Sequence, residues 1–112
     1  MSSFSNNVIL GKGQLDGKGV YANRDFMTGE IVIEYHLKKL TLQQFNELPK
    51  SEKKFTHRHW GVIYLYSEPE RYVNHATNPN TYQDHLNKCD IALRAIKKGE
   101  LITTNASKDD IV

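Results

Sequence analysis

Two stretches seventy positions apart carry the same residues in the same places, and this echo constrains the fold more than any single element does. YANRDFMTGEIVI begins at Tyr21 and IALRAIKKGELIT at Ile91, so that Ala22 matches Ala92, Arg24 matches Arg94, Gly29 matches Gly99 and Glu30 matches Glu100. Each piece reads as strand, turn, strand. Two unrelated hairpins that both use Gly-Glu at the turn would leave the same trace; the alternative is a β architecture with a two-fold internal repeat.

The segments around the repeat are short and mostly strand-like. Val8, Ile9 and Leu10 form an apolar run, after which Gly11, Gly13, Gly17 and Gly19 read as loop or turn before Val20, Tyr21 and Ala22. A turn at Met27-Thr28-Gly29-Glu30 precedes IVIEY at 31–35, a β-branched and aromatic run of strand length. In TLQQFNELPKSEKKF the period changes. Thr41 and Gln44 have capping-box spacing, Leu42 and Phe45 share a helical face, and Pro49 ends the pattern, which predicts one short helix. HWGVIYLY at 59–66 reads as a further strand and 67–80 as loop, while IALRAIKKGELITT reads as a closing hairpin with Lys98-Gly99 at its turn.

A chain of 112 residues fits one domain, here spanning 1–112, with little to spare. Fifteen Lys and Arg against thirteen Asp and Glu leave a net charge of +2, too mild to point to nucleic acid. The single cysteine, Cys89, makes no internal disulfide and no thiolate-rich zinc site, and reads as a packing residue. No basic leader and no run of eighteen apolar residues is present, so the expectation is an intracellular protein, cytoplasmic or nuclear, neither secreted nor membrane-embedded.

Three motifs in order resemble a known family. GKGVYANRDFMTGEIVIEY resembles the opening motif of SET-domain protein lysine methyltransferases, RYVNHATNPN their Asn-His segment, and ALRAIKKGELIT their last block. The motifs run from about 10 to 106, with a variable insert at about 37–70. The resemblance is to a small, stand-alone SET domain without a cysteine-rich segment after it. It implies a mainly β, β-clip fold of several small curved sheets, a short helix, and a pseudoknot-like crossing in which the C-terminal chain passes over the Asn-His segment. It also implies S-adenosylmethionine as cofactor and a protein lysine as methyl acceptor. Gly17, Lys18, Gly19, Val20, Asn74 and His75 are the residues carried over as cofactor-binding: the glycines let backbone groups approach a ligand, and Asn74 and His75 offer polar groups to an adenine or a carboxylate.

Taken singly, these residues have plainer readings. Gly17 and Gly19 alone would be turn glycines, and His75 alone a hydrogen-bonded loop histidine. His57 and His59 in HRH lack a nearby cysteine or carboxylate cluster and read as a solvated strand or loop, so no metal is expected.

Methyl transfer from a sulfonium to lysine needs a neutral, aligned amine, although free lysine titrates near 10.4. A narrow apolar channel lowers that value, and in the family tyrosine hydroxyls and main-chain carbonyls orient the lone pair. Tyr64, Tyr66 and Tyr72 are the candidates for such walls here, with core packing as the competing role for Tyr64 and Tyr66. One departure stands out: the family's C-terminal tyrosine falls on Ala106, no tyrosine follows Tyr82, and only six residues follow Ala106 to build a lid.

Three functions remain open on the sequence: a slow lysine methyltransferase, an inactive SET-fold module (a pseudoenzyme) that binds cofactor or a protein partner, and an unrelated small β protein. Partners expected are a lysine-bearing protein and, to complete a missing wall, a second copy of the chain.

Overall fold

The computed structural model describes residues 7–111 and shows why the echo exists. The two repeats bind each other across a pseudo-two-fold axis. Phe26 and Ile96 exchange both backbone hydrogen bonds, at 2.7 and 2.9 Å. Gly29 N–H donates to the Ala92 carbonyl as Gly99 N–H donates to that of Ala22, and Ala92 N–H donates to Glu30 as Ala22 N–H donates to Glu100. The Ile31↔Ile91 pairing has its counterpart in the bridge Tyr21↔Leu101. Every one of these pairs maps onto its mate by adding or subtracting seventy.

The same relation generates the core. Ala22 and Ala92, Phe26 and Ile96, and Val32 and Ile102 are all buried. Apolar burial of this kind is the main favourable term in folding, and here each half supplies the other's cover. Gly29 and Gly99 turn the two hairpins with φ of 88° and 93°, and a methyl group at either would meet nothing within 4 Å. Gly29→Ala and Gly99→Ala are therefore expected to cost about 1 kcal/mol each through backbone conformation alone. Chemical denaturation will show nearly equal losses if the halves are energetically equivalent.

Around this centre the described residues form ten short strands in four small sheets. Strands β1 (Val8–Leu15) and β2 (Lys18–Ala22) are an antiparallel hairpin. A three-stranded sheet has β9 (Cys89–Ala92) between β3 (Ile31–Glu34) and β8 (Thr81–Asp84). A second has β6 (Val62–Leu65) between β4 (Lys38–Leu40) and β5 (Thr56–His59). Finally β7 (Asn74–His75) runs parallel to β10 (Thr103–Thr104), so the Asn-His segment lies between the first hairpin and the C-terminal chain. Among the described residues no helix is long and apolar enough to cross a membrane.

Helix α1 (Leu42–Glu47) starts as its sequence predicts: Thr41 and Gln44 form the reciprocal capping box, and Leu48 turns extended before Pro49. Its predicted apolar face is not buried, since α1 holds no buried residue and Leu42 is exposed. A second short helix, α2 (Lys50–Lys53), follows it.

Other boundaries differ from the sequence reading for identifiable reasons. The glycine-rich stretch is mostly strand: Gly11 and Gly13 lie within β1, and the chain turns only at Asp16-Gly17. The predicted strand at 59–66 is the end of one strand, a turn and another strand, because Trp60 and Gly61 both take left-handed φ, 51° and 82°. The predicted closing hairpin does not pair with itself: β9 joins β3 and β8, and β10 joins β7. Gly99 makes the predicted turn, but tertiary partners take both arms.

Candidate functional site

Asn74 fastens the threaded strand to the first hairpin. Its side chain accepts from Gln14 N–H and donates to the carbonyls of Lys18 and Tyr72, each at 3.0 Å. These bonds fit only because the backbone of Lys18 comes within close reach of Gly13, where a Cβ would lie 2.3 Å from the Lys18 oxygen. His75 follows on the opposite face, and its Nδ1 accepts from the Ala106 N–H at 3.0 Å. That bond fixes the tautomer with Nδ1 as acceptor.

Beside this junction lies a cavity of about 390 Å³. Gln14, Leu15 and Asp16 of the hairpin, His75 and Ala106 line it together with Tyr35, Tyr66, His57, Asp90 and Asp109. Phe55 and Val73 supply apolar floor, and Lys54 and Arg71 line it already paired, with Asp16 and Glu52 respectively. A volume in this range suits a small organic ligand.

The lining is unusual for its acids. The Asp90 carboxyl, 2% exposed, accepts a hydrogen bond from the Tyr35 hydroxyl, and burial pushes it up to about 8. Burial raises Tyr35 as well, with Asp90 adding to it, and raises Tyr66. Asp109 accepts from Gln83 and lies 3.7 Å from His57 Nε2, yet burial holds its carboxyl above the usual range. Glu70, also raised by burial, accepts from the backbone of His36 and Ser67. Both phenols therefore stay protonated at neutral pH, and the carboxyls hold protons more tightly than exposed ones do.

Of the residues carried over from the family resemblance, His75 lines this cavity. Gly17 and Lys18 are exposed at the hairpin turn next to it; Gly19, Val20 and Asn74 are buried behind it. Among the candidate tyrosines, Tyr66 lines the cavity, Tyr72 packs edge-on against Phe55 in the core, and Tyr64 stands 5.1 Å from the His59 ring.

The HRH pair is not a solvated stretch. His59 is buried, bonded to the Tyr66 hydroxyl at 2.9 Å and pushed down to about 4 by burial, so it is neutral at pH 7. His57 faces the cavity. No group of three or more His, Cys, Asp or Glu among the described residues is placed to hold a metal ion. Cys89 is buried in β9, where desolvation raises its thiol.

Tyr35, Asp90 and Asp109 were absent from the sequence candidates. One signal was present for Asp90: a charge in the apolar strand Cys89–Ala92, at a position that must face inward. The residues after Ala106 fold back against the body of the protein. Ile111 N–H donates to Arg58 at 2.7 Å and Trp60 N–H donates to Ile111 at 3.0 Å, which brings Asp109 into the wall.

Comparison with known proteins follows from this geometry. The family model described as "SET domain" matches residues 17–105. Among solved structures, a candidate histone methyltransferase of Plasmodium falciparum is similar with a TM-score of 0.70 at 19% identity, over 90% of this chain and 93% of that one. An active polycomb repressive complex 2 in its basal state is similar at 0.68 and 27% identity, over 88% of this chain. A humanized mutant of the Chaetomium thermophilum polycomb repressive complex 2, bound to an inhibitor, is similar at 0.65 and 29% identity, over 91% of this chain. This chain spans 15% of each of the two polycomb chains. No curated protein matches the sequence.

Proposed function

The chain belongs to the SET-domain family, and on that premise we propose that it is a protein-lysine methyltransferase-type module whose cofactor is S-adenosylmethionine and whose transfer is slow. One observation carries the reading: Tyr35 at the end of the first motif, His75 of the second and Ala106, just past the third, line a single cavity.

The residues present fit such a cofactor. Leu15, Phe55 and Val73 offer apolar contact, the Gln14 side-chain carbonyl offers an acceptor to an amino group, and the Lys54 ammonium, bonded to Asp16, keeps further N–H donors for a carboxylate. Bound there, S-adenosylmethionine supplies an electrophilic methyl group. His75, held by the Ala106 N–H, presents its second ring nitrogen, while the Tyr35 and Tyr66 hydroxyls act as hydrogen-bonding groups that orient an incoming amine.

Slowness follows from Ala106, which leaves a methyl group where the family places a phenol. Loss of one preorganised polar group costs on the order of a hundredfold in rate. Ala106→Tyr is therefore expected to raise methyl transfer by about that factor while cofactor affinity changes little. A radiolabelled transfer assay against a protein mixture, with calorimetry for cofactor binding, tests the proposal. Leu15→Trp, which puts an indole into the cavity, serves as the blocked control. Absence of cofactor binding at millimolar concentration would sink it.

A second reading, a SET-fold module that binds without turnover, is favoured by the same Ala106 together with the acids Glu70, Asp90 and Asp109 in the lining. In either reading the domain spans the whole sequence, the partner is a lysine-bearing protein, and the setting is intracellular.

A further inference from the structure

We infer that His59 and His85 form a binding site for one monovalent soft metal ion, copper(I), ligated by the two Nδ1 atoms beside the C-terminal chain. Neither histidine lines the cavity described above, and the inference stands apart from methyl transfer.

The two rings arrive from different strands. His59 ends β5, His85 directly follows β8, and their centroids are 4.5 Å apart with the planes at 62°. Through Nε2 both reach the same C-terminal segment: His85 Nε2 lies 2.7 Å from the Lys108 carbonyl and His59 Nε2 lies 3.1 Å from that of Asp109. A carbonyl only accepts, so both Nε2 atoms carry the proton and both Nδ1 atoms present a bare lone pair. The other tautomer of His59 could accept from the Tyr66 hydroxyl, but it would set a lone pair against the Asp109 carbonyl and strand a buried Nδ1–H.

Those two lone pairs are the anomaly. Both Nδ1 atoms are buried, and neither has a hydrogen-bond partner among the described residues. His59 as a whole is 2% exposed. A buried polar atom without a partner is costly, and here two stand on neighbouring rings, where one guest can serve both. An imidazole whose N–H is tied to a backbone carbonyl while its other nitrogen stays bare is oriented as metal-ligating histidines are. Burial also keeps His59 neutral at pH 7, so a proton does not take the lone pair.

The ligand set decides the class of ion. His57 is turned to the Asp109 and Asp110 carboxylates, and no group of three converging ligands exists among the described residues. A divalent ion would lack its further ligands and would bring a double charge to two neutral imidazoles in a dry place. Copper(I) has a filled d shell, is content with two ligands in line, carries a single charge and accepts imidazole nitrogen. The Tyr64 and Tyr66 rings, 5.1 and 5.9 Å from that of His59, pack around the pair. Ligation at Nδ1 makes each Nε2–H a stronger donor, so the ion tightens the hold of both rings on Lys108 and Asp109.

The test is nitrogen NMR of the histidine rings in the full chain carrying Cys89→Ala, which removes the one thiol that would compete for the ion. Before metal is added, His59 and His85 should both show the Nε2–H tautomer. One equivalent of copper(I), kept reduced by ascorbate under argon, should shift both Nδ1 signals together, ahead of the other three histidines; zinc(II) at the same concentration should not. His85 is only partly buried, so His85→Gln is expected to fold. In competition with a chelator it should weaken copper(I) binding at least about a hundredfold, the upper end of what loss of an outer partner costs. An Nδ1–H tautomer on either ring, Nδ1 signals that do not move, a shift confined to one ring, an equal response to zinc(II), or undiminished affinity in His85→Gln would each overturn the inference. None of these readings depends on cofactor binding or on turnover.

Discussion

Asp90→Asn is expected to raise the thermal midpoint by about 10 °C at pH 8 and to leave it nearly unchanged at pH 4. In an unfolded chain an aspartate loses its proton near 3.8, whereas burial holds the folded Asp90 carboxyl to about 8. Between those values the folded protein keeps a proton that the unfolded chain releases. Stability from this group is therefore complete below pH 4 and drains away as pH climbs to 8. At about 1.4 kcal/mol for each tenfold change in proton affinity, the whole effect is on the order of 6 kcal/mol. Relaxation and water entry reduce that to about half. Asparagine never ionises, so the variant should lose most of the slope; Asp109 and Glu70, raised in the same direction, account for what remains. Thermal melts from pH 4 to 9 read the difference, and parallel curves for the two proteins would contradict it.

The second large effect is at Asn74. Its side chain is 1% exposed and satisfies three backbone groups, the Gln14 N–H and the Lys18 and Tyr72 carbonyls. Asn74→Ala removes all three partners at once from a space too enclosed for water to replace them freely. The expected cost is about 3–5 kcal/mol. Asn74→Asp should do comparable damage, since a carboxylate still accepts from Gln14 but repels the two carbonyls. Chemical denaturation gives the energy, and hydrogen exchange at the Gln14 amide should lose its protection first. A loss below about 1 kcal/mol would mean that strand pairing, rather than this side chain, holds the threaded segment.

The two residues differ in how they could be read. Asn74 sits in a motif whose order along the chain pointed to the family, yet its observed work is structural: it ties hairpin to strand and sits behind the cavity. Asp90 belongs to no motif; a charge within an apolar strand is its one sequence signal, and the central place of β9 in its sheet is what buries it. Tyr66 was a sequence candidate and lines the cavity, whereas Tyr64, two residues away on the same strand side, packs by His59 instead.

From the sequence alone came the seventy-residue echo, the Thr41–Gln44 cap, the Gly29 and Gly99 turns and the motif order that places the chain in its family. These are signals between near neighbours or repeated along the chain, and local sterics and hydrogen bonding are enough to express them. Tertiary structure decided which arms pair, that the residues after Ala106 fold back into a wall, and that Tyr35, Asp90 and Asp109 share one desolvated space. Those three lie far apart in sequence, and a carboxyl acquires its proton affinity from what surrounds it in space, a quantity that no spacing along the chain contains.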